Sequence, residues 1–405
     1  MKILIQILGS LFISSILLVP GYGATRYPSS CSQTDVGNAI SSASDGDIII
    51  IPSGSCTWAS PITVTNKALT IQGQSKVDPV ITGQMTVSNS SGKQIIVKNF
   101  KMTGAGKLLT IGGGVTNFIV QNMTFVHTSS YALSITGRTF GIVDHCTFGP
   151  NSSGASAIEI SGEGTSTAYT RASALGTGNN VFIENSTIER TAFAGGTHAV
   201  WSDDGGGYVF RHSTVTNYDL DVHGHCTSGG SREFEIYDNK FIIGSGQSYN
   251  SYVVLRGGTG VVYNNVITNN GSKPTSDVGV QIREQQIDQG TMCAQGSCPS
   301  CNYPAKHQLG RGQNDVLDPL YVWGNTVNGV SQNTVGIWPP DGDTACETVC
   351  GKQLYVSDFL KQNREYYIST RPGYTPYTYP HPLATDPSAT APDGRYPLWP
   401  SISIN

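Results

Sequence analysis

Four ionisable residues recur at one position of successive strand-like segments. They are Asp203 in AVWSDD (199–204), His223 in LDVHGH (220–225), Arg256 after VVL (253–255) and Arg283 after VQI (280–282). Two positions earlier the same segments carry Trp201, Asp221, Val254 and Gln281, with Glu159 of AIEISG (157–162) in register before them. VGIWPP (335–340) adds Trp338 to the Arg283 column. Arginine stays charged and grips an oxyanion with two N–H groups, and histidine moves protons near neutral pH. Tryptophan offers a flat face for stacking. Asp203, Asp204, Asp221 and Glu159 are oxygen donors suited to a hard cation, or acid–base groups in their own right. Two nearby residues, His225 and Arg232, lie where a loop could return them to the same surface.

What brings these residues together is a repeat. VKNFKM (97–102), VQNMTF (120–125), VDHCTF (143–148), IENSTI (183–188), FRHSTV (210–215), IYDNKF (236–241), VYNNVI (262–267) and VWGNTV (322–327) share one pattern. Their final apolar residues are spaced 23, 23, 40, 27, 26, 26 and 60 apart. A step in the twenties is one coil of a β-solenoid, and the long steps are coils with insertions. Alternate residues of a strand face opposite sides. That puts Leu133/Ile135, Ile158/Ile160, Val200/Ser202, Leu220/Val222, Val253/Leu255, Val280/Ile282 and Val335/Ile337 in a stacked core, with the ionisable columns outward. Residues 162–180, 223–233 and 284–319 read as loops walling a groove over those columns. The GGTG after Arg256 reads as a small corner that leaves the arginine uncovered.

A second outward column holds Lys98, Gln121, Asp144, Glu184, Arg211, Tyr237, Tyr263 and Trp323. Its aromatic end is expected to pack under GYTPYTYPHPL (373–383). The corner residues Asn99, Asn122, His145, Asn185, His212, Asp238 and Asn264 are expected to bond turn backbone. DFLKQNREYY (358–367) reads as a helix capping the last coil.

The chain opens MKILIQILGSLFISSILLVPGYGA, a lysine and a short apolar run ending in small residues, which reads as a signal peptide over residues 1–24 rather than a membrane anchor. The protein is therefore expected to be secreted, extracellular or periplasmic. Charged residues make up only 13% and net charge is −4, without the basic stripe of a nucleic-acid binder. Export permits disulfides among the nine cysteines, and Cys31 and Cys56 are placed to pair. The expected layout is a signal peptide (1–24), a parallel β-helix with an N-terminal cap (25–345), and a capping helix with a Pro/Tyr-rich tail (346–405).

DVGNAISSASDGDIIIIPSGSCTWASPITVTNKALTIQGQ (35–74) resembles the N-terminal cap and first coil of secreted pectate-lyase-like right-handed parallel β-helix proteins, and the N-x-x-F coils agree with it. The resemblance implies an all-β, single-stranded right-handed parallel β-helix. That superfamily hosts several chemistries, and none of its catalytic residues can be matched here. Residues and resemblance together lead to an expected polysaccharide lyase acting on a uronate-containing glycan by β-elimination. In that reading His223 is the base, Arg256 or Arg283 neutralises the carboxylate, and Asp221 assists. Trp201, Trp338, His225, Arg232 and Gln281 bind substrate. Asp203, Asp204, Asp221 and Glu159 form a calcium site. No organic cofactor is expected, the only partner is the polysaccharide, and the chain is a monomer. The alternatives are a glycoside hydrolase using Asp203 and Asp221 or Asp221 and Glu159, and a non-catalytic glycan binder.

Overall fold

The computed structural model of the chain describes residues 23–385, apart from 91, 116, 153, 193–195, 225–229, 248–250, 272–278, 284–302, 306, 333 and 339–354. The signal-peptide reading, His225, and every cysteine except Cys31, Cys56 and Cys146 fall outside the described residues.

Among the described residues the chain winds through three long sheets of ten, twelve and eleven strands. Every strand pair is parallel except one short antiparallel pair at the end of the third sheet. Sheet I runs from Ile62–Thr65 to Gly336–Trp338, sheet II from Thr25–Arg26 to Tyr366–Tyr367, and sheet III from Ser55–Thr57 to Val330–Ser331. Each coil contributes one strand to each sheet, so a strand pairs with its counterpart one coil on. This is a parallel β-helix. Its interior is stacked aliphatic and aromatic rungs, such as Leu133, Ile158, Val200, Leu220, Val253 and Val280, all at most 2% exposed. Burying each such side chain is worth about 1.5–3 kcal/mol.

The corner between sheets II and III explains the N-x-x-F pattern. Asn99, Asn122, His145, Asn185, His212, Asp238 and Asn264 all have φ between 50° and 61°. Only Asn, Asp, His and Gly tolerate that left-handed backbone at modest cost, and in the last coil the position is Gly324. The hydrogen bonds seen at these corner side chains go to other side chains rather than to the turn backbone: Asn122 Nδ2 donates to Asn99 Oδ1 at 2.8 Å and Asn185 Nδ2 to Asp144 Oδ1 at 2.9 Å. Backbone bonding falls to the next, inward residue. Asn265 Oδ1 accepts from Asn239 N at 3.1 Å and Asn325 Oδ1 from Asn265 N at 3.0 Å, forming a buried asparagine ladder.

The N-terminal end is covered by the helix Gln33–Ser42, capped by Ser32 and tied down by the Cys31–Cys56 disulfide. At the other end the expected helix over 358–367 is not formed. A single turn, Val356–Phe359, is followed by a reversal and by Tyr366–Tyr367, which joins sheet II as its last strand. Fully buried Glu365 holds the reversal by accepting from Lys361 N at 2.9 Å and pairing with Arg364 and Arg311. That long-range network outweighs the helical periodicity of the segment.

Residues 374–384 lie as a strap across sheet II, as expected from the aromatic column. Tyr237, Tyr263 and Trp323 stack face to face at 4.7 and 4.3 Å, and Leu383, Tyr374 and Tyr377 pack on the same cluster.

Candidate functional site on the outer face of sheet I

The outward columns of sheet I have the expected register. Ser134, Glu159, Trp201, Asp221, Val254, Gln281 and Gly336 are successive partners. At the strand tips Thr136 pairs with Ser161, Ser161 with Asp203, and Arg283 with Trp338. His223 N bonds Ser202 O at 2.8 Å and Arg256 N bonds Val222 O at 2.9 Å, which carries the tip column through the two intervening coils. Neighbouring rungs stand about 4.8 Å apart.

The columns are not simply solvated. Asp221 is fully buried, and Arg256 Nη2 approaches its Oδ2 at 2.8 Å. A residue that sequence reasoning missed, His198, completes the arrangement. Its Nε2 is 3.4 Å from Asp221 Oδ2 and its Nδ1 is 2.6 Å from Asp219 Oδ1. Burial alone would lower the His198 pKa, but the two carboxylates outweigh it and the net shift is upward. A register shift between His198 and Val200 puts this ring opposite Asp219. Strict alternation read from Ala199–Asp204 gives no sign of it.

Two coils earlier a second cluster forms. Lys107 is ion-paired with Glu159, and Ser134 Oγ donates to Glu159 Oε2 at 2.5 Å. Tyr131 stacks on Trp201 at 5.5 Å, and Lys107 Nζ lies 5.6 Å from the centre of the Tyr131 ring. His223 meets Trp201 edge-on at 5.3 Å. Trp201 is thus an aromatic step between the two charged clusters.

Asp203 lies at the tip between them. Burial, then the neighbouring charges of Asp204 and Glu159, push its carboxyl up to about 6. Its Oδ1 is buried without a hydrogen-bond partner in the protein. Asp204, at φ 48°, accepts from Ser161 Oγ at 3.3 Å.

Other expected members are placed differently. Arg232 is 2% exposed beneath residues 162–180, with Nη2 on Arg171 O at 3.3 Å and its guanidinium over the Tyr169 ring. It belongs to the corner between sheets I and II and is not on this face. The loop 162–180 leans the same way, since Ala174 N and Gly176 N bond Glu233 and Glu235 on sheet II. That segment does not wall a groove over sheet I. Nor does the glycine corner leave Arg256 open. A Cβ at Gly257 would lie 3.0 Å from His307 O and one at Gly258 would lie 2.5 Å from Arg232 O, so the glycines admit a close-packed chain. The Arg256 side chain is 11% exposed. Trp338 is 41% exposed at the far end of the column, and Gln281 is half-buried on the same face. Arg283 closes the strand Val280–Arg283, and His225 lies outside the described residues.

The four carboxylates do not form one ligand set. Asp221 is taken by Arg256 and His198, and Glu159 by Lys107 and Ser134. Among the described residues no three His, Cys, Asp or Glu side chains converge as metal ligands. As placed, these side chains offer a calcium ion no converging set of three ligands among the described residues.

Fold and cluster together define a parallel β-helix with an acid–base and aromatic surface on one sheet. The sequence matches no known family and no curated protein. Two solved structures are similar to this chain at low identity. The Agl-KA catalytic domain is 12% identical, with a TM-score of 0.34 over 78% of this chain and 68% of that one. The catalytic domain of a GH87 alpha-1,3-glucanase in complex with nigerose is 10% identical, with a TM-score of 0.37 over 89% and 70%.

Proposed function

We propose that this chain is an exported enzyme acting on polysaccharide, and specifically a glycoside hydrolase with Asp203 as proton donor. The observation carrying this reading is the placement of Asp203, whose Oδ1 is buried without a partner in the protein one coil from Glu159 and beside Asp204, surroundings that push its carboxyl up to about 6. A carboxyl near 6 still holds a useful fraction of its proton in mildly acidic media. Hydrolysis needs that proton on the departing glycosidic oxygen as the C–O bond breaks, while a second carboxylate assists water at the sugar carbon. Glu159 is the candidate second group. Register sets it one coil and two residues from Asp203, a Cα separation of about 8 Å. Asp221 is unsuited, because its side chain has no exposure to the face, whereas that of Glu159, though paired with Lys107, is 11% exposed. Trp201, between the clusters, supplies the ring-stacking surface.

A second reading, β-elimination on a uronate glycan, is favoured by the neighbouring rungs of His223 and Arg256. There His223 takes the C5 proton and Arg256 balances the substrate carboxylate. It ranks second because Asp221 already compensates the Arg256 charge.

The deciding experiment incubates the mature protein with neutral and acidic polysaccharides and follows both reducing ends and the ultraviolet absorbance of unsaturated uronates. New reducing ends without absorbance support hydrolysis. Absorbance rising with them supports elimination and overturns the hydrolase. Neither signal, with retained binding, leaves a glycan-binding surface.

A further inference from the structure

We propose that the cavity at the corner between sheets I and II is a binding site for one small anion of the chloride class, held by Arg232 and pinning residues 162–180 to the stack. The site lies away from the glycan-active face and does not depend on the reading given to that face.

The argument begins with Arg232. It is 2% exposed and lines this cavity together with Arg138, Arg171, Glu163 and Glu233. Its Nη2 donates to Arg171 O at 3.3 Å, while its buried Nε and Nη1 have no hydrogen-bond partner in the protein. A buried carboxyl or lysine can shed its charge by changing protonation, but an arginine keeps its own. That charge must be balanced where it stands. The Tyr169 ring lies 5.4 Å from the guanidinium, and a ring face supplies less than a full counter-charge.

The nearby carboxylates are committed elsewhere. Glu163 pairs with Arg171 Nε at 2.7 Å. Glu233 Oε2 accepts from Ser173 Oγ at 3.0 Å and from Ala174 N at 2.9 Å. No Asp or Glu among the described residues is ion-paired with Arg232. Arg138 is exposed, with its guanidinium over the Phe140 ring at 5.7 Å. The lining therefore sets three arginines against two glutamates, an excess of one positive charge.

Size selects the ligand. The cavity volume is about 30 Å³. A water needs about 10–15 Å³ on the same measure, so two waters or one small anion fit. Organic ligands occupy about 300–1,000 Å³, which excludes a sugar ring. The cavity also lies on a seam. Glu163 and Arg171 come from the loop 162–180, and Arg232 and Glu233 from the stack two coils on. The loop is close against the stack here. A Cβ at Gly205 would lie 2.3 Å from Ala168 Cβ, and Tyr169 Oη donates to Ser231 O at 2.9 Å. An anion touching both arginines continues that seam.

The test uses the mature protein and chloride itself. The chloride-35 NMR line is followed at fixed ionic strength, with gluconate, too large for the cavity, as the replacing anion. The wild type is expected to broaden the line saturably. Arg232→Met should bind chloride at least about tenfold more weakly, the scale of a charge-assisted contact. Glu163→Gln, which frees Arg171 and leaves Arg232 in place, should bind it about fivefold more tightly, and it decides the matter if Arg232→Met does not fold. Limited proteolysis within residues 162–180 should be slower in chloride than in gluconate for the wild type and equal in the two salts for Arg232→Met. No saturable broadening by the wild type, or titrations that are the same in every folded variant, overturn the proposal. Broadening that follows the variants while proteolysis ignores chloride keeps the site and overturns its role in pinning the loop.

Discussion

Arg256 and Asp221 meet at 2.8 Å across neighbouring coils, and the carboxylate of the pair has no exposure to solvent. The ion pair is part of the fold as well as of the candidate site. Arg256→Ala should therefore destabilise the protein by about 3–5 kcal/mol, because a buried charge loses its nearer partner. Arg256→Lys should cost less. Urea unfolding of the three proteins checks the order, and equal stability of Arg256→Ala and wild type would refute it.

Asp203 gives a pH prediction with a defined sign. A proton donor works while protonated, so kcat should fall as pH rises through about 6. Asp203→Asn should remove that limb together with at least 100-fold of activity. Stability runs in the same direction. The folded carboxyl binds its proton more tightly than the unfolded one, so stability is lost between pH ~4 and ~6 as the unfolded chain ionises first. Allowing for partial exposure, Asp203→Asn should gain about 1 kcal/mol at pH 7 and nothing at pH 3, readable by thermal melts.

Chelation should leave activity unchanged. Asp221 and Glu159 are engaged by Arg256, His198, Lys107 and Ser134, which leaves only Asp203 and Asp204 to a cation. Assays in EDTA, followed by added calcium, check this, and restoration by calcium after loss in EDTA would contradict it.

The strap supplies a further test. Arg211 is fully buried and bonds Glu184 at 3.0 Å, Tyr377 O at 2.6 Å and Thr378 O at 2.8 Å. Arg211→Met should strand Glu184, cost about 3–5 kcal/mol and expose residues 374–384 to protease. The wild-type strap should also loosen with pH. Burial holds the Glu235 carboxyl up at about 7, where Tyr374 Oη donates to it. A raised carboxylate loses its contribution as pH climbs from ~4.5 to ~7, so limited proteolysis of the strap should be faster at pH 8 than at pH 5.

At the corner between sheets II and III, Asn264→Gly should be nearly neutral, whereas Asn264→Val should cost about 1–2 kcal/mol, because φ is 54° there. Chemical denaturation of both variants decides it.

Much of this molecule was legible because a solenoid repeats its own grammar. The inward rungs, the outward columns and the strap over Tyr237, Tyr263 and Trp323 all follow from period-two alternation laid on a fixed coil length. Legibility ended where the period did. His198 was hidden because the ladder slips by one residue beside it. Asp221 was read as outward, which its strand position supports, but exposure depends on neighbours that no local pattern specifies. Arg232 went to the wrong surface because a loop's direction is set by distant partners, here Tyr169 and Arg171. The 358–367 segment has helical spacing, yet a vacant sheet edge and buried Glu365 decided its shape.

The strap has a mechanical consequence. In a stack where each coil touches only its neighbours, melting can begin at an end and advance coil by coil. Residues 374–384 bond or pack against Gln121, Glu184, Asn185, Arg211, Glu235 and Tyr263, which belong to successive turns from the middle of the stack towards its C-terminal end. No one of those turns can fray without tearing the strap from the others. The tail thereby acts as a batten nailed across several planks, turning a zipper-like molecule into one that must open over that length all at once.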